Sequence, residues 1–181
     1  MSSLRLLVLP AAFLLCVGVN AVARAATPPE VPDKLKVPQG QVLAFDLRAE
    51  GVQIYVCAAR KDDATKFEWT LKAPQADLFD AKGNKVVKHY AGPTWEAADG
   101  SKVVGEAKAR DDGPDPNAIP WLLLSAKTTS GNGMLAKTVS IQRLRTVGGK
   151  APAEGCSEAA QAGREVKVPY QAHYAFYTQT P

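Results

Sequence analysis

The chain has 181 residues, 46% of them hydrophobic, and its 22 Lys and Arg against 18 Asp and Glu give a formal charge of +4. That length suits one ordinary domain with a real core and is cramped for two. Basic and acidic residues are interspersed, which argues against a nucleic-acid partner, since such a partner wants a clustered basic face.

In chain order, the first pattern is Arg5, an apolar run from Leu6 to Val19 and the small-residue sequence Ala23-Arg24-Ala25. Together these predict a cleaved secretory signal over residues 1–25. The run is shorter than the roughly 18 to 20 residues a membrane-spanning helix needs, so no stable membrane insertion is expected after cleavage. Cys16 is preceded by Leu14 and Leu15 where lipoprotein processing wants small residues. Loss of Arg5 and Arg24 with no acidic residue lowers the formal charge from +4 to +2. The predicted destination is the periplasm or the extracellular medium.

Residues 26–36 carry Pro28, Pro29 and Pro32, too much proline for a regular element, and read as an extended arm. Residues 37–181 read as a single β domain. Turn signals at Gln39-Gly40, Glu50-Gly51, Lys82-Gly83-Asn84, Asp99-Gly100 and Gly131-Asn132-Gly133 separate short segments rich in Val, Ile, Leu, Tyr, Phe and Trp. Spacing of that kind predicts an all-β fold, an antiparallel sandwich or barrel. In Val52 to Cys57 the side chains of Val52, Ile54 and Val56 face one way and those of Gln53, Tyr55 and Cys57 the other.

Ala76 to Phe79 and Val86-Val87 flank a hairpin turn. Asp99-Gly100 reads as a type I′ turn joining Trp95-Glu96 to Lys102-Val103-Val104. Lys82, Lys85 and Lys88 read as the solvated face of the first of these hairpins. Trp121 to Leu124 reads as a strand buried on both faces, with Trp121 in the core, whereas Trp95 is expected to be partly exposed. Residues 110–117, with Gly113, Pro114 and Pro116, read as a long loop. Helix-forming composition occurs only near residues 154–163, where one or two turns are expected. The final segment puts Val166, Val168, Tyr170, Ala172, Tyr174 and Phe176 on one face.

Two of the three cysteines, Cys57 and Cys156, lie in the mature part, where an oxidising compartment favours pairing them. A redox or nucleophilic cysteine is the alternative, although neither sits in a Cys-x-x-Cys and neither has a histidine nearby in sequence.

Chemistry concentrates in residues 89–101. His89, Tyr90, Trp95, Glu96 and Asp99 sit there, and His173-Tyr174 supply the other imidazole and a further ring. Imidazoles titrate near neutrality and suit acid–base work, while rings offer apolar area with a polar edge for a sugar or small molecule. Packing histidines and core aromatics are the bland alternative for each. No metal-ligand spacing, nucleophile elbow, phosphate loop or dinucleotide fingerprint is present, so no metal or cofactor is implied.

Residues 51–57, 89–96, Asp99-Gly100-Ser101, 119–123, 141–152 and 168–177 together resemble a secreted microbial family, domain of unknown function 3455. The resemblance implies a stand-alone exported domain, with Cys57 and Cys156 matching the family's cysteine-bearing segments, and it transfers no catalytic residue. The sequence therefore predicts an exported, non-catalytic or envelope-associated β domain that binds a small molecule or glycan through His89, Tyr90, Trp95, Glu96, Asp99, His173 and Tyr174. The rival is a hydrolase or isomerase using His89 or His173 with Glu96 or Asp99. A pocketless structural protein of the envelope or matrix is the third reading.

Overall fold

Alternating inward and outward side chains along successive hairpins produce eight strands in a computed structural model that describes residues 27–180. They are β1 (Gln41–Ala59), β2 (Phe67–Phe79), β3 (Lys85–Tyr90), β4 (Thr94–Ala97), β5 (Lys102–Asp111), β6 (Trp121–Ser130), β7 (Ser140–Gly148) and β8 (Glu165–Gln179). Each pairs antiparallel with the next, and β8 returns to pair with β1, so the single sheet closes into an up-and-down barrel. Of the two all-β architectures open from the sequence, the closed barrel is the one formed. The ladder is not continuous all round, since β2 pairs with β3 only over Ala76–Phe79 and residues 67–75 have no strand partner on that side among the described residues. The predicted signal falls outside the described residues.

On β1 the inward side is Leu47, Ala49, Gln53, Tyr55 and Cys57, so the phase carrying polar groups faces the barrel interior. On β8 the predicted face turns inward, with Tyr170, Ala172, Tyr174 and Phe176 buried; Val166 and Val168 are only half-buried. One end of the barrel is packed with Leu47, Leu78, Val87, Val103, Ile141 and Phe176, and Leu135 from the β6–β7 connection is fully buried against them. Gly105 on β5 is needed at this packing. A Cβ there would lie 2.9 Å from the Trp95 ring, closer than real side chains approach.

Four local expectations are corrected, the first being the turn at Glu50-Gly51, which instead lies inside β1 with both residues paired on either side. Trp95 is 1% exposed, because its register partners His89 and Val103 place it on the inner face of β4. Trp121 is only half-buried, because it pairs with Asp111 at the barrel end and lies over Gly113 outside the packed interior; its neighbours Leu122 and Leu123 are also half-buried. The β4–β5 turn is not type I′. That geometry needs a left-handed backbone at both central residues, and only Gly100 has it, with φ +83°, while Asp99 does not.

A short 3-10 turn, Ala159–Gln161, is the one helical piece in the region where one was expected. A second, Asp33–Leu35, interrupts the proline-rich arm. The arm crosses the outside of the barrel. Lys34 pairs with Asp111 at 3.0 Å, and Leu35 is fully buried with its carbonyl accepting from Gln142 Nε2 at 2.7 Å. Gln142 Oε1 in turn accepts from the Tyr177 hydroxyl at 2.7 Å.

At the opposite end from Leu135, the segment between β7 and β8 folds over part of the opening. The Cys57–Cys156 disulfide holds it, with the Cα atoms 5.4 Å apart. Trp69 Nε1 donates to the Glu154 carbonyl at 2.9 Å, and the Tyr55 hydroxyl donates to the Gly149 carbonyl at 2.7 Å.

Candidate functional site

The half of the barrel away from the apolar end is lined by residues of another kind. Strands β1, β3, β4, β7 and β8 send in Gln53, His89, Trp95, Arg143 and Tyr174, and these with Leu122 of β6 surround a cavity of about 320 Å³ beside the β3–β4 turn. Eight-stranded barrels have an interior of the right size to be filled by side chains or to hold one small ligand. Here the apolar end takes the first course and the other end is left open for the second.

His89 is 3% exposed, and its ring lies parallel to Trp95 with centroids 4.3 Å apart and an interplanar angle of 10°. Tyr174 meets both rings edge-on, at 5.3 Å from His89 and 5.5 Å from Trp95. Imidazole Nδ1 lies 2.9 Å from the Thr94 carbonyl oxygen. A carbonyl only accepts, so the proton sits on Nδ1, and Nε2 carries the lone pair. Burial pushes the His89 pKa down to about 3, against the opposing pull of the Thr94 carbonyl, and the Arg143 charge lowers it further. The ring is therefore neutral at neutral pH. Tyr170 and Tyr174, with hydroxyls 3.4 Å apart, are likewise held protonated because burial raises both.

Two buried donors on side chains that line this cavity have no partner among the described residues: Gln53 Nε2 and Trp95 Nε1. Both side chains are 1% exposed. A buried donor without an acceptor costs about 1–3 kcal/mol, so two at one cavity are a feature that packing alone does not reward. Arg143 donates from Nε and Nη2 to the Pro120 carbonyl, at 3.1 and 2.8 Å. Among the described residues no group of three or more His, Cys, Asp or Glu converges as metal ligands do.

Of the seven residues singled out from the sequence, His89, Trp95 and Tyr174 come together here, and the other four lie elsewhere. Tyr90 donates to Glu96 at 2.7 Å on the outer face, because the pairing of Lys88 with Glu96 and His89 with Trp95 puts Glu96 on the opposite side of the sheet from the imidazole. Asp99 organises its turn, accepting from Ser101 N and Oγ at 2.9 and 2.6 Å and from Met134 N at 2.8 Å. His173 is on the outside, its Nδ1 2.9 Å from Asp46 Oδ1.

The pairing of His89 or His173 with Glu96 or Asp99 that an acid–base mechanism required is not assembled, and the carboxylate beside His173 is Asp46. Sequence reasoning missed Gln53 and Arg143. The signal for Gln53 was its phase, shared with Tyr55 and Cys57 along β1; Arg143 shares the inward phase of Ile141 two residues before it.

A family model described as "Protein of unknown function (DUF3455)" matches residues 38–178. The chain belongs to the DUF3455 family. The matched span runs from just before β1 to one residue short of the end of β8, so nearly all of the barrel, the disulfide and every cavity residue named above lie within the DUF3455 domain. No curated protein and no solved structure matches this DUF3455 chain.

Proposed function

We propose that this DUF3455 protein is an exported, non-catalytic binding protein that holds a small molecule, or one end of a glycan, in the mouth of its barrel. The observation that carries this is the pair of unpartnered donors, Gln53 Nε2 and Trp95 Nε1, buried at the same cavity. A ligand oxygen would satisfy them once a small side-chain shift uncovers them, and ring faces with a few placed polar groups are the usual lining of small-molecule sites in barrel mouths. Export is supported by the leader pattern of residues 1–25 and by a disulfide, which persists in oxidising compartments. The hydrolase or isomerase reading has less behind it, since neither Glu96 nor Asp99 faces His89.

Gln53→Leu tests the proposal. An apolar side chain of similar size removes an orphaned amide, so the ligand-free protein should be as stable as the parent or more so. Native mass spectrometry of protein purified without denaturation should show a small bound mass on the parent and none on Gln53→Leu. A variant that is destabilised by several kcal/mol, or that carries the same mass as the parent, would make Gln53 a structural residue and remove the proposal's support.

A further inference from the structure

The chemistry of the cavity wall is one-sided. Its polar groups are the amide of Gln53, the indole of Trp95, the guanidinium of Arg143, the ammonium of Lys72, the hydroxyl of Tyr174 and the imidazole of His89, and among the described residues that line it there is no Asp or Glu. Lys72, at the lip, is already paired with Glu165. Arg143 is paired with no carboxylate among the described residues. Its charge bears on Tyr55, His89, Tyr170 and Tyr174, all four of which are neutral and cannot offset it. A half-buried guanidinium left in that state favours an anion in the adjoining space.

Size and shape add a second restriction. A cavity of about 320 Å³ lies at the small end of the roughly 300–1,000 Å³ range of ligand pockets, which suits a single small molecule. The remaining wall is apolar, with Leu122, Leu124 and Pro74 beside the Trp95 ring. Bare inorganic anions would leave that surface unused.

We infer that the ligand is a small carboxylate with a flat apolar body, its charged end taken by Arg143 and its body lying against the Trp95 and Leu122 wall. This rests on the binding reading above and names the ligand class for the same site. The donors of Gln53 and Trp95 then serve the ligand's oxygens, and the His89 Nε2 lone pair is available to a hydroxyl on the ring.

The test is a titration of the disulfide-bonded protein with benzoate, with its neutral analogue benzamide and with inorganic phosphate, followed by the NMR signals of the Trp95 indole N–H and the Arg143 Nε–H. Benzoate should move both signals and bind roughly tenfold or more tighter than benzamide, as expected when a charge pair is lost. Phosphate should be weaker than benzoate. Arg143→Gln should abolish the preference for benzoate over benzamide.

Benzamide binding as well as benzoate would overturn the carboxylate assignment and leave the cavity reading standing. Phosphate as tight as benzoate would overturn the flat body. No movement of either signal with any of the three probes would overturn the inference outright, and a protein that also carries no bound mass would take the binding reading with it. The benzoate and benzamide comparison on the unsubstituted protein decides the matter even if Arg143→Gln fails to fold.

Discussion

His89 shows how one residue's burial sets both stability and site chemistry. Unfolded, its imidazole titrates near 6.5; folded, it does so at about 3. Between those values the unfolded chain binds more protons, so stability is fully present above about pH 6.5 and falls as the pH drops, by at most roughly 1.4 kcal/mol per pH unit. His89→Phe keeps a ring against Trp95 but cannot take a proton, so urea midpoints measured from pH 7 down to about 4.5 should fall with pH in the parent and stay nearly level in the variant. Equal slopes would show that the buried imidazole is not the titrating group. The sequence offered His89 and Trp95 as functional candidates, yet it placed Trp95 near solvent and Trp121 in the core. The exposure of Trp95 followed from its charged neighbours in sequence, whereas the true determinant is its cross-strand register with His89 and Val103.

Among the elements, the hairpins β2–β3 and β4–β5 were legible because turn residues and alternating side chains are local signals. The proline-rich arm was legible only as an absence of regular structure. Its Asp33–Leu35 turn and the burial of Leu35 depend on Gln142 and Tyr177, more than a hundred residues away in sequence. The segment between β7 and β8 is a similar case, since its position over the barrel mouth is fixed by partners on β1 and β2. The disulfide spans 99 residues of sequence, and on the chain-entropy model such a bond contributes about 4–5 kcal/mol. Reduction, or Cys57→Ala with Cys156→Ala, should lower the unfolding free energy by several kcal/mol. Hydrogen exchange should quicken most at residues 149–164 and at the ends of β1 and β2 that hold them. Protection unchanged in that segment would mean that the Trp69 and Tyr55 hydrogen bonds hold it without the covalent link.

For the whole molecule, periodicity identified inward and outward faces but not the closure of the sheet, because the pairing of β8 with β1 joins the two ends of the domain and leaves no local trace. Closure is what makes the site. Gln53 on β1, Arg143 on β7 and Tyr174 on β8 reach the same cavity as His89 on β3 and Trp95 on β4 only when the barrel is complete. The four candidates that fell outside it, Tyr90, Glu96, Asp99 and His173, follow from the same geometry: Tyr90, Glu96 and His173 occupy the outward phase of their strands, and Asp99 sits in a turn at the apolar end. The measurement that bears most directly on a ligand-holding barrel is a crystal structure of protein purified without denaturation. It should show non-protein density in the cavity, with oxygen atoms within hydrogen-bond distance of Gln53 Nε2 and Trp95 Nε1. A cavity holding only ordered water, or one filled by collapsed side chains with both donors paired to the protein, would contradict it.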